Sequence, residues 1–153
     1  MTDPRALAAH FTELAPSQKR VVLFDLAAHA VAAWEQYADL NPSLSYIESV
    51  VGTRQVVDRR LPIDALQSAR LGVDLTHVEQ RYLEPIAALQ DDDLVLPSHI
   101  QFAYYSIYNL FKKYVRGAPI DDWLIVNQAI SAELDLDTGF ALFSAVLANV
   151  KTT

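Results

Sequence analysis

The sequence predicts an all-α fold, a single-domain helical bundle of about seven to eight helices built from residues 1–153. Three observations predict it. Apolar residues recur at three- and four-residue spacing along most of the chain. Only four glycines and seven prolines occur, and nearly all fall where such a periodic segment starts or stops. No internal repeat of roughly 20–50 residues and no linker rich in glycine, serine or proline divides the chain, so one bundle remains.

The elements follow in order. Asp3 and Pro4 read as N-cap and first residue of a helix through Leu7 and Phe11 to about Leu14. Pro16 restarts the chain, and Ser17 to about Asp39 forms the longest helix, with Leu23, Ala27, Ala30, Val31, Trp34 and Ala38 on one stripe and Asn41, Pro42 ending it. A third helix is expected over Leu44 to Val51, because Leu44, Ile47, Val50 and Val51 repeat at helical spacing before Gly52. The Thr53 to Arg59 stretch either continues it or lies extended, and helix is favoured. Pro62 opens a fourth helix that Gly72 closes.

Asp74 caps a fifth helix carrying Leu75, Val78, Tyr82, Leu83, Ile86 and Leu89, in which Pro85 either splits the helix or, the favoured reading, kinks it. Asp91, Asp92 and Asp93 repel one another and mark an exposed connection. Ser98 is expected to cap a sixth helix ending at Gly117, with Ile100, Tyr104, Ile107, Phe111 and Val115 inward and Lys112, Lys113 and Arg116 at its negative end. Pro119 starts a seventh, with Asp121 and Asp122 in its first turn and Trp123, Val126, Ile130 and Leu134 on its buried side. Asp137 or Thr138 starts the last, carrying Phe140, Phe143, Val146, Leu147 and Val150.

Composition narrows the function classes. There is no cysteine, which removes disulfides, thiolate nucleophiles and cysteine-ligated zinc and suits a reducing compartment, so a cytoplasmic location is expected. No apolar run approaches the ~20 residues of a bilayer span, and the first residues lack the basic and apolar regions of a signal peptide. A net charge of -7 and a pI near 4.9 repel phosphate backbones and anionic lipid and attract basic partners. Nucleic acid and membrane are therefore not expected as partners; a protein is.

The obvious catalytic constellations are missing: no glycine-rich phosphate loop, no nucleophile elbow, no histidine pair separated by three residues. No cofactor is expected. The four histidines, His10, His29, His77 and His99, fall on four separate segments. Asp25 precedes His29 by four residues and Asp74 precedes His77 by three, spacings that share a helix face and resemble half of a di-metal carboxylate site. The bridging glutamates such a site needs are not evident, so capped or surface histidines are the plainer account.

Phe102, Tyr104, Tyr105, Tyr108, Phe111 and Tyr114 supply more rings than one buried stripe requires. Tyr105 and Tyr108 share a second face with Lys112, a composition found at protein interfaces and equally in a wide core with hydroxyls reaching solvent. Asn109, Asn127 and Gln128 sit in apolar helices and call for hydrogen bonds across the bundle. The acidic groups at Asp91 to Asp93, at Asp121 with Asp122, and at Glu133, Asp135 and Asp137 fall largely where helix starts favour them, and their surplus makes an electronegative surface.

The segment YSIYNLFKKYVRGAPIDDWLIVNQAIS, Tyr105 to Ser131, resembles small bacterial helical proteins of which some are grouped with immunity proteins of polymorphic toxin systems. It covers under a fifth of the chain, designates no particular family and carries over no functional residues. The resemblance implies a non-catalytic role, protection of a producing cell by binding a cognate toxin. The reading is thus a protein-binding domain whose contact surface draws on Tyr105, Tyr108, Asp91, Asp92, Asp93, Asp121 and Asp122, with a basic toxin domain as the partner considered. The alternative is a helical-bundle enzyme or small-ligand or metal binder using His29 or His77 with nearby carboxylates, and a third class is a homodimer paired through exposed aromatics.

Overall fold

A computed structural model describes residues 3–47, 52–91 and 96–150 of the chain. It contains seven α-helices and one short antiparallel pair of strands among those residues. Helix α1 (Pro4–Glu13) starts as the sequence predicts, with the Asp3 carboxylate accepting from the Arg5 N–H at 3.0 Å. Helix α2 (Pro16–Leu40) is the longest, and Gln18 accepts from the Ala15 N–H at 2.9 Å to satisfy its first orphan donor. Its stripe of Leu23, Ala27, Ala30, Val31, Trp34 and Ala38 is buried as expected.

The third helix is overturned. Strand β1 (Ser45–Ile47) pairs antiparallel with β2 (Arg54–Val56), Ser45 opposite Val56 and Ile47 opposite Arg54; the remaining residues of that expected helix, 48–51, lie outside the described residues. The physical reason is that Val56 and Val57 suit an extended backbone, and a short apolar run does not separate a three-residue spacing from an extended one. The ribbon would be marginal alone. It is fastened where the Val57 N–H donates to the Leu44 carbonyl at 2.9 Å and Val57 turns into the core.

Helix α3 (Leu61–Leu71) ends at Gly72, whose φ of 68° is the left-handed cap the sequence expects there. Helix α4 (Leu75–Asp91) runs unbroken through Pro85, whose exposed position spares the core the missing donor, so the split reading fails. Asp91 is its last residue and not part of a loop as expected; Asp92 and Asp93 lie outside the described residues. Helix α5 (Ser98–Phe111) takes Pro97, in extended conformation, as its N-cap, so Ser98 is its first residue and not its cap. It passes directly into a π-helical turn, Lys112–Arg116, closed by Gly117 at φ 74°.

Helix α6 (Asp122–Ser131) begins later than Pro119. An Ile120 N–H to Ala118 carbonyl bond makes a tight turn there, and the Asp121 carboxylate, accepting from the Trp123 N–H at 2.9 Å, is the cap. Asp135 caps α7 (Leu136–Ala148) by accepting from the Thr138 N–H at 2.7 Å.

Helix α2 is the spine, packed against α3, α5, α6 and α7; α5 in turn touches α3, α4 and α6, and α1 lies on α7. The core between them holds Trp34, Tyr104, Phe11, Phe24, Phe111 and Phe143 as its largest fully buried side chains. Trp34 and Tyr104 rings meet at 5.4 Å, and Phe11, Trp123 and Phe143 form a second cluster with centroids 5.0–6.3 Å apart. The Tyr104 hydroxyl donates to the Ile86 carbonyl at 2.7 Å, which satisfies a buried polar atom while joining α5 to α4.

Candidate functional site

Helix α2 buries Trp34 and Ala38, and the turn-to-turn spacing of the helix therefore carries Ala33, Gln36, Tyr37 and Leu40 along an adjoining stripe. That stripe forms one wall of a groove of about 380 Å³. His99 and Ile100, in the first turn of α5, line it, and Ala132, Glu133 and Leu134 form the opposite wall. Ile100 is 2% exposed and anchors that wall to the core.

The wall made by residues 132–134 is held at both ends. The Ala132 and Glu133 N–H groups donate to the Gln128 and Ile130 carbonyls at 3.0 and 3.1 Å, which finishes α6, and three residues later the Asp135 cap begins α7. Between these anchors Leu134 is 88% exposed, Leu136 is 61% exposed, and Leu40 across the groove is 76% exposed. Leu134 is thus not on the buried side of α6 as its spacing suggests, because the helix stops at Ser131 before the period reaches it. The sequence signal that could have exposed this is the alternation Glu133, Leu134, Asp135, Leu136, Asp137, which is no helical pattern.

Charge in the groove lining is one-signed. Glu133 faces the groove, Asp135 and Asp137 follow it, and neither lysine nor arginine lines the groove. The N–H and hydroxyl of Thr138 hold the Asp135 carboxyl below the usual carboxylate range, so it is ionised wherever the protein is at neutral pH.

A second polar cluster sits at the π-turn. Lys113 Nζ lies 2.9 Å from Asp122 Oδ1 but directs a hydrogen bond of 2.6 Å to the Ile120 carbonyl, so the buried carboxylate oxygen is held by charge without an aligned bond of its own. Beside it the Arg20 guanidinium lies 4.5 Å from the Phe24 ring centroid and 5.5 Å from that of Tyr114, and donates to the Arg70 carbonyl at 3.2 Å. Burial first, then the Asp122 charge, push the Tyr114 hydroxyl up to about 12, with Arg20 opposing them. These groups engage one another across helices, which is a cross-link and not an open site.

The residues singled out by sequence fall apart in space or into other duties. Tyr105 and Tyr108 are half-buried on α5, the latter with the Lys112 ammonium 4.9 Å from its ring. Asp121 is an exposed cap and Asp122 pairs with Lys113. Asp25 pairs with Arg70, across to α3, and His10, His29 and His77 are exposed on α1, α2 and α4. Among the described residues no group of three or more histidines and carboxylates is placed to hold a metal ion. Asn109 Nδ2 donates to Gln128 Oε1 at 2.9 Å, the expected amide link between α5 and α6, whereas Asn127 is exposed. His99, on the groove, is the histidine sequence reading had no reason to prefer.

No helix among the described residues is long and apolar enough to cross a membrane. No family model, no curated protein and no solved structure matches the chain.

Proposed function

We propose that this chain is a non-catalytic protein-binding domain, of the kind in which an immunity protein occludes a toxin, and that its contact face is the groove between α2, α5 and the α6–α7 connection. The observation that carries this is the exposure of Leu40 and Leu134 on opposite walls of one groove. Large apolar side chains held out in water by a fixed backbone stand to gain roughly 1.5–3 kcal/mol each on being covered. Glu133 in the groove and the net charge of -7 add attraction for a basic partner. The resemblance of the 105–131 segment to small bacterial helical proteins, some of them grouped with immunity proteins, supports the finer reading.

The test is site-specific crosslinking in the source cell, with a photoreactive side chain in place of Leu134 and, as a control, in place of exposed His77. A protein captured at the groove position and not at His77 supports the reading; equal capture or none at the groove rejects it. If the captured protein is a toxin whose activity the purified chain suppresses, the immunity reading stands as well.

One observation favours a second reading. The groove volume falls in the range of roughly 300–1,000 Å³ typical of small-ligand sites, with Gln36, Tyr37, His99 and Glu133 as its polar groups. A small molecule that raises the unfolding midpoint in wild type and not in a His99→Ala variant would favour it.

A further inference from the structure

We infer that the occupant of this groove is one face of a basic amphipathic helix belonging to the partner, an inference that rests on the protein-binding reading. The walls are made of side chains from two helices and a capped turn, and the one ribbon among the described residues, β1 with β2, is not among the lining elements. The groove therefore offers apolar contact and not a strand edge. An occupant has to satisfy its own backbone N–H and C=O groups, and a helix does so internally.

The dimensions agree. From Ala33 to Leu40 the α2 wall advances seven residues, roughly 10 Å, or about two turns. That is the reach of three apolar residues at i, i+3 or i+4, and i+7 on a docked helix. Leu40 and Leu134 would close over such a ridge from either side.

Charge selects the helix. Glu133 lines the groove, no lysine or arginine is among the lining residues, and the chain as a whole carries a net charge of -7. Lysine or arginine flanking the apolar ridge would be drawn to Glu133 and to the net negative charge, while acidic flanks would be repelled. A second copy of the chain is disfavoured on the same ground, because it too carries a net charge of -7.

The probe is a synthetic helical peptide of about 18 residues with leucines on one face and lysines on the flanks, beside a counterpart with glutamate for every lysine. Each is titrated into the isotope-labelled full chain and followed by amide chemical shifts. The lysine peptide is expected to move Leu40, His99 and Leu134, and the glutamate peptide to move none of them. Leu134→Asp and Glu133→Lys are each expected to weaken the lysine peptide about tenfold or more. Leu40→Asp, on the opposite wall, gives the same readout should either of those variants misfold.

Equal shifts with both peptides, shifts confined to another face, or no shift at millimolar peptide overturn the inference. If peptides fail while crosslinking at Leu134 still captures a protein, the partner class is wrong and the protein-binding reading survives. If sedimentation shows a dimer that Leu134→Asp dissolves, the groove holds a second copy and the inference fails.

Discussion

The α-carbon of Gly139 sits so near Ile130 that a methyl group placed on it would lie 2.6 Å from Ile130 Cγ2 and 2.7 Å from the Ile130 carbonyl oxygen. This is where α7 crosses α6, and the missing side chain permits the close approach. Gly139→Ala gains about 1 kcal/mol in helix propensity but forces apart two backbones, and the strain of about 3 kcal/mol prevails. A net loss of about 2 kcal/mol is expected in urea denaturation. Shortening the side chain by Ile130→Val does not rescue it, because valine keeps the γ carbon and the carbonyl oxygen remains.

Trp34, fully buried, donates from Nε1 to the Arg59 carbonyl at 2.9 Å and ties the segment after β2 to the spine helix. Trp34→Phe deletes that bond and strands the acceptor, and about 1–3 kcal/mol should be lost. Trp34→Ala adds a cavity and should cost about 3–5 kcal/mol. Thermal unfolding measures both, and equal losses would show that the lost bond alone matters at this site.

The Lys113–Asp122 pair is only about a quarter exposed, 23% and 27% at the two side chains. Lys113→Met leaves the buried carboxylate oxygen uncompensated, with an expected loss of about 1–3 kcal/mol. Replacing both partners, Lys113→Met with Asp122→Leu, should recover part of that loss, since the unpaired charge goes too. A double-mutant cycle reads the coupling directly.

Alkaline stability should depend on Tyr114. Its hydroxyl is pushed up from 10.0 to about 12 in the folded chain, so between those values the unfolded state releases a proton that the folded state keeps. Stability from this group is complete below pH 10 and is lost progressively up to about pH 12. The fall in unfolding midpoint across that window should be shallower in Tyr114→Phe. Absorbance at the tyrosinate band should show less late titration in the variant than in wild type.

Much of the bundle was legible because its punctuation is chemical. Gly72 and Gly117 have the positive φ that closes a helix, and the Asp3 carboxylate caps α1 by accepting from the N–H two residues on. Legibility failed where a pattern outlived its element. Leu134 keeps the period of α6 although the helix ends at Ser131, and Leu44 with Ile47 keeps a helical spacing where the chain enters a strand. The groove could not be read at all, since α2, α5 and residues 132–134 supply its walls from far apart in the chain. Gly139 likewise looks like an ordinary helical weak point until its neighbour is known.

The π-turn at Lys112–Arg116 also makes the chain tolerant of a change in length at one place. Its wider turn fits five residues into an arc that an α-helix covers with about four, so removing one residue there would let regular helical bonding resume with the downstream chain nearly in place. A deletion inside α5 has no such slack and would rotate everything after it by about 100°. Shortened forms of this chain should therefore lose a residue in the turn far more readily than in the helix before it.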